Sequence, residues 1–207
     1  MSRTKSSQRW LARNAKDEFV KRARKEGVRS RAAYKLEEID RRDHLLRPGM
    51  TVVDLGAAPG GWSQYVKSRV GATGRVLALD LLPMAPIPGV EFIEGDFTEQ
   101  PVLDLLMERL QGKQADLVIS DMAPNMTGVA SVDQARSINL AELAVDFADK
   151  ALEPGGSLLL KTFQGGGFNE LHAELRRRFA KLVSRKPQAS RSESREIYLL
   201  AKGFKGH

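Results

Sequence analysis

The chain has 207 residues, no cysteine, a formal net charge of +7 and a pI near 9.8. That length buries one α/β core and is short for two, the missing cysteine excludes disulfides and thiolate metal sites, and the basic balance favours a polyanionic partner. No run reaches the roughly 18 apolar residues of a membrane span and the amino terminus lacks a signal-peptide core, so a cytoplasmic protein is expected.

The charge is uneven. Residues 1–35 carry twelve Lys and Arg against Asp17, Glu18 and Glu26, an excess larger than that of the whole chain. Residues 1–30 read as a basic arm for nucleic acid, or as a solubilising tail, attached to one domain spanning 1–207. Around the lone Trp10 the first residues are polar and order only against another surface. From 17 to 43 the pattern is helical, with Ser30 as a cap and Ala33, Leu36 and Ile39 on one face, until Pro48 and Gly49 close the segment.

Residues 51–62, TVVDLGAAPGGW, organise everything after them. An apolar strand runs into a glycine-rich turn and then a helix, the pattern of a buried parallel strand feeding a ligand site. A dinucleotide site calls for G-x-G-x-x-G. This turn reads G-x-x-x-G-G, with Asp54 before it and Pro59 inside it. Gly56, Gly60 and Gly61 let a ligand lie against backbone, and Asp54 suits a cation better than a phosphate. S-adenosylmethionine, a sulfonium with an amino-acid tail, meets that demand.

Trp62, Tyr65, Val66 and Val70 recur at helical spacing, and a strand over 75–81 follows with Asp80 near its end. Asp80 lies 26 residues beyond Asp54, near the interval at which an acid meets ribose hydroxyls, although a plain turn carboxylate fits too. A third strand over 90–97 brings Asp96, placed to accept from an adenine amino group. After a helix over 102–110, a strand over 116–120 delivers Asp121. Ser131 and Gln134 have capping-box spacing at the start of a long helix ended by Pro154 and Gly155. A strand over 157–161 stops at Lys161. Phe168, Leu171, Leu175, Phe179 and Leu182 trace another helix, whose Arg176, Arg177, Arg178 and Lys181 read equally as solvated surface or as phosphate contacts. Short strands over 183–187 and 196–202 flank a Ser- and Arg-rich loop suited to substrate. Alternating strands and helices call for a mostly parallel sheet covered on both faces.

Asp121, Lys161 and Glu196 stand where apolar runs begin or end, and burying charge without partners is costly. They serve one another or a ligand, or else form unconnected surface pairs. Methyl transfer to a ribose hydroxyl needs that weak nucleophile oriented and relieved of its proton. A lysine does this if burial or a second cation lowers its pKa, and Lys35 is the candidate cation. Asp121 would hold Lys161, with Glu196 anchoring the pair. His44, His172 and His207 show no metal spacing, and no metal is expected.

The segments SSQRW, RSRAAYKL, VVDLGAAPGGWSQYV, LALDLLPM, GDF, SDMAPNMTG, LLLKTFQG and SREIYLL run in the order of, and closely resemble, the FtsJ/RrmJ family of ribosomal RNA large subunit 2′-O-methyltransferases. The resemblance implies a Rossmann-like class I methyltransferase with a mostly parallel seven-stranded sheet and an antiparallel last strand. It puts a catalytic tetrad on Lys35, Asp121, Lys161 and Glu196, with Lys161 as proton acceptor. It puts cofactor contacts on Gly60, Trp62, Asp80, Asp96 and Asp121. It also implies a uridine of 23S rRNA, in the loop that receives aminoacyl-tRNA, with the large ribosomal particle as partner. A monomer is expected because no large apolar face is left over. The same chemistry on tRNA or an mRNA cap, and a non-catalytic ribosome assembly factor, are the alternatives.

Overall fold

Residues 17–191 and 194–206 are described by the structure, a computed structural model; Trp10 and the first half of the basic arm lie outside them. Helix α1 (Glu18–Glu26) starts where the Asp17 carboxylate accepts the N–H groups of Phe19 and Val20, and it stops at Gly27 in the left-handed region. Helix α2 (Ala33–Asp43) follows a short linker. Then come β1 (Thr51–Leu55), α3 (Gly61–Val70), β2 (Arg75–Asp80), β3 (Val90–Glu94), α4 (Gln100–Leu110), β4 (Ala115–Ser120), α5 (Ala130–Ala151), β5 (Leu152–Phe163), α6 (Phe168–Arg178), β6 (Phe179–Arg185) and β7 (Glu196–Phe204).

The strands form one sheet in the order β3-β2-β1-β4-β5-β7-β6. β1 to β5 pair in parallel, and β7 runs antiparallel to both β5 and β6. The carboxyl ends of the parallel strands and the amino end of β7 therefore share one edge.

Successive strand residues point to opposite faces. Val53, Leu55, Val118, Leu158, Leu160 and Leu199 pack on the face covered by α4, α5 and α6. Val52, Leu117, Ile119, Leu159, Tyr198 and Leu200 pack on the other, beneath α2 and α3. Two residues on from Val52, Ile119 and Leu159 come Asp54, Asp121 and Lys161, and two before Tyr198 comes Glu196. The same alternation that builds the core puts these polar groups on the α2 side.

Some local expectations give way. The 17–43 segment is two helices, because Gly27 breaks it; α2 has no side-chain cap, and the Ser30 carbonyl, not its hydroxyl, accepts from Ala33. Helix α5 starts at Ala130 without a capping box. Gln134 instead donates to the carbonyls of Phe163 and Gly166, and the buried Asp133 carboxylate takes the N–H groups of Thr127 and Gly128. The helix traced through Phe179 and Leu182 ends at Arg178, since both residues pair with β7 and the Phe179 ring lies 5.4 Å from that of Phe204. β3 ends at Glu94, which leaves Asp96 in the turn beyond it.

The α2 side is tied to α3 by one buried carboxylate. Asp40, 2% exposed, accepts from Leu46 N at 2.7 Å, Tyr65 Oη at 2.8 Å and Arg69 Nε at 3.2 Å. Replacing it strands a buried N–H and a half-buried hydroxyl. Asp40→Ala is expected to lower the unfolding free energy by about 2–3 kcal/mol in denaturant titrations. A loss below about 0.5 kcal/mol, within the spread of ordinary surface substitutions, would show that the carboxylate does not hold the helices together.

Candidate active site

A cavity of about 520 Å³ opens at the shared strand edge, within the range of small-ligand pockets. Gly56, Asp80, Asp96 and Asp121 line it, each from the carboxyl end of β1, β2, β3 or β4 or the turn just beyond. Gly56 is required by its surroundings: at φ +78° a Cβ would stand 2.6 Å from Met122 Cγ and 3.0 Å from Met122 N. Asp80 is braced from both sides, accepting Ala58 N and Leu82 N at 2.8 Å each. Asp96 receives the Thr98 N–H and hydroxyl on Oδ1, at 2.8 and 2.7 Å. Those bonds hold its carboxyl below the ordinary carboxylate value, led by the backbone N–H. A carboxylate has room for about four hydrogen bonds, so both acids keep acceptor capacity toward the cavity.

Asp54, Gly60 and Trp62 stand behind this wall and do not line the cavity. Asp54 is fully buried, with Oδ2 accepting from Ser63 at 2.6 Å and Oδ1 lacking a partner among the described residues. Burial, then the charges of Asp121 and Asp80, push its carboxyl up to about 7 against the hydrogen bond from Ser63. The Trp62 indole donates to the Ala32 carbonyl at 2.7 Å and its ring lies 5.8 Å from that of Tyr198. At Gly60 the space a Cβ would need is filled by Ile87, Met84 and Arg29.

Beyond Asp121 the cavity meets a continuous polar chain. Lys161 Nζ lies 3.1 Å from Asp121 Oδ1 and donates to the Asp121 carbonyl at 2.5 Å. Tyr198 Oη donates to the same Oδ1 at 2.7 Å. Lys35 Nζ, arriving from α2, donates to Tyr198 Oη at 3.1 Å and to Glu196 Oε1 at 2.6 Å. The Ser190 hydroxyl donates to that Glu196 oxygen at 2.8 Å. The structure thus brings Lys35, Asp121, Lys161 and Glu196 into one network. Glu196 holds Lys35, however, and not Lys161, and a tyrosine hydroxyl joins the two halves.

Tyr198 is the residue that sequence reasoning missed. It lies directly opposite Lys161 in the β5–β7 ladder and two residues from Glu196, on the same face. That period-two relation within SREIYLL was the available signal. Burial first, then the charges of Asp121 and Glu196, raise its hydroxyl well above the ordinary value, so it stays protonated and donates. Arg136 and Asn139, three apart on α5, also line the cavity, with no sequence signal beyond helical spacing. Among the described residues no group of three His, Asp or Glu is placed to hold a metal ion.

A parallel sheet that ends in an antiparallel strand, with acids at successive strand ends around a glycine turn, is the arrangement of the Rossmann-like class I methyltransferases. The comparisons narrow the class. The model of the FtsJ-like methyltransferase family matches residues 28–204, and the chain belongs to that family. It is 57% identical over 206 residues to the ribosomal RNA large subunit methyltransferase E of Stenotrophomonas maltophilia, covering all of this chain and 98% of that one. It is 56% identical to the protein of that name from Legionella pneumophila, over 99% of each chain. The crystal structure of a Plasmodium falciparum ribosomal RNA methyltransferase superposes with a TM-score of 0.77 at 33% identity, covering 86% of this chain and all of that one.

The raised Asp54 carboxyl carries a sign for stability. Its folded pKa, about 7, lies above the unfolded value of 3.8, so the contribution is fully present below the unfolded value and is lost as pH rises through about 7. Asp54→Asn removes that titration. The variant's unfolding free energy relative to the native protein should rise between about pH 4 and pH 8, by up to about 4 kcal/mol. Parallel pH profiles for the two proteins would mean that the fold does not raise the Asp54 carboxyl.

Proposed function

We propose that the protein transfers a methyl group from S-adenosylmethionine to the 2′-hydroxyl of a uridine ribose in 23S rRNA of the large ribosomal subunit, acting in the cytoplasm as a monomer. The observation that carries this reading is the network from Lys161 through Asp121 and Tyr198 to Lys35 and Glu196, at the edge of a nucleoside-sized cavity. The names of the S. maltophilia and L. pneumophila relatives support the large-subunit RNA as substrate.

The residues fit the cofactor. Asp80 and Asp96 stand at the ends of adjacent strands with acceptor capacity left for ribose hydroxyls and an adenine amino group, and Gly56 allows close approach of backbone. S-adenosylmethionine supplies a methyl group on a sulfonium, which needs only an aligned nucleophile. Here this chain's residues do the remaining work. The ribose hydroxyl would be held in line with that methyl group, and its proton would pass to Lys161 Nζ. Asp121 fixes that nitrogen through both its carboxylate and its carbonyl. Lys35, held by Glu196 and Tyr198, is a fixed cation 12% exposed at the same edge. It stabilises negative charge growing on the ribose oxygen.

The basic arm over 1–30 takes RNA phosphates in this reading of one domain, 1–207. Within its described part Arg24 and Lys25 are exposed on the last turn of α1, while Arg22 is paired with Glu26 at 2.8 Å. Two of the three arginines of α6 are less suited to that task, because Arg177 and Arg178 bond Glu174 and Arg178 also meets Asp149 at 3.1 Å.

The test is methyl transfer from labelled S-adenosylmethionine to large subunits, free rRNA and bulk tRNA from cells lacking the protein. Label in large-subunit RNA is expected, and label confined to tRNA would overturn the substrate. Lys161→Ala should lower turnover by about 10³-fold or more while leaving cofactor affinity near native. An active variant would remove Lys161 as the proton acceptor.

A further inference from the structure

The linker between α1 and α2 lies directly on the cofactor turn. Arg29 N donates to Gln64 Oε1 at 3.1 Å, and Gln64 Nε2 returns a bond to the Gly27 carbonyl at 3.2 Å. A Cβ on Gly61 would run into the Ser30 side chain, and one on Gly60 would come within 3.1 Å of Arg29 Cδ. Gly61 therefore gives its space to the linker, and Gly60 shares its own between the linker and the side chains of Met84 and Ile87. The Arg29 guanidinium then reaches past the turn. Nη1 donates to the Ala85 carbonyl at 2.5 Å and, at 3.4 Å, to that of Pro59, and Nη2 donates to the Pro86 carbonyl at 2.7 Å.

Those carbonyls belong to two loops that between them form one wall of the cavity. Ala58 of the first and Leu81 and Leu82 of the second line it. Leu81 and Leu82 are 58% and 63% exposed, so little packing of their own holds them. The loops are laced twice. Asp80 joins Ala58 N to Leu82 N from the cavity side, and Arg29 joins Pro59 to Ala85 and Pro86 from the outside. A guanidinium spread over three carbonyls has few N–H groups left for a phosphate. Its position fits a brace better than an RNA contact.

We propose that Arg29 is a positioning residue through which the basic arm sets the outer wall of the cofactor cavity. Cofactor binding and docking of the arm then form one linked equilibrium. The inference rests on the S-adenosylmethionine reading above. A ligand that favours the closed wall must, by reciprocity, favour the docked arm.

The experiment pairs calorimetry with amide hydrogen exchange on the full-length protein, using S-adenosylmethionine as the probe. In the native protein the cofactor should slow exchange over residues 18–32. Arg29→Met keeps an unbranched stem against Gly60 and removes the fork. It should weaken cofactor binding about 10-fold, the effect of one or two lost hydrogen bonds, and abolish the slowing. Arg29→Lys, which reaches fewer carbonyls, should fall between the two and serves if the methionine variant does not fold. Unchanged affinity, or equal slowing in native protein and variants, would overturn the brace. A fall in affinity matched by loss of cofactor-free exchange protection throughout the sheet would also overturn it, by showing a purely structural role. Failure of the native protein to bind S-adenosylmethionine would instead remove the cofactor reading, and this inference with it.

Discussion

Asp121 Oδ1 meets two side chains at once, Lys161 Nζ at 3.1 Å and the Tyr198 hydroxyl at 2.7 Å, and this shared oxygen is what joins three strands into one site. β4 ends one residue before Asp121, Ser120 pairs with Leu160, and Lys161 pairs with Tyr198. Register alone therefore sets the three groups side by side. Had β7 run parallel, Glu196 and Tyr198 would stand at the opposite edge of the sheet. The antiparallel final strand is thus a condition of the chemistry as well as of the fold.

The same arrangement explains why charge can sit so near a core. Tyr198 and Asp54 are fully buried and Lys161, Lys35 and Glu196 nearly so. Isolated ions there would cost several kcal/mol each. Each lysine instead has a carboxylate within reach, and Tyr198 bridges the pairs, so few groups are left unmatched. Asp54 is the exception. It lies behind the cavity with one oxygen unpartnered among the described residues, and burial raises its carboxyl. Ion pairing at the edge holds the working groups, while the interior behind it favours neutrality.

Much of this was legible in the chain. Apolar runs that stop at Asp121 and Lys161, or begin at Glu196, mark strand ends, and the glycine turn after Asp54 marks the edge where a ligand sits. Two features escaped for physical reasons. Leu175, Phe179 and Leu182 keep helical spacing across the boundary between α6 and β6, and only pairing with β7, some twenty residues later, decides against a helix. Gly60 and Gly61 read as room for a ligand. Local sequence carries no sign that Arg29 and Ser30, thirty residues earlier, fold back into that room. Tyr198 was hidden because an aromatic residue inside a strand looks like core until the residue opposite it is known.

In the proposed reaction the methyl acceptor is a ribose oxygen and not a base. The most direct measurement is nucleoside mass spectrometry of large-subunit RNA, taken from cells lacking the protein and incubated with it and S-adenosylmethionine. Transfer to the ribose gives a gain of one methyl in 2′-O-methyluridine, with the methyl retained on the sugar fragment. Methyl on the base fragment, or on no nucleoside although cofactor is bound, would contradict it.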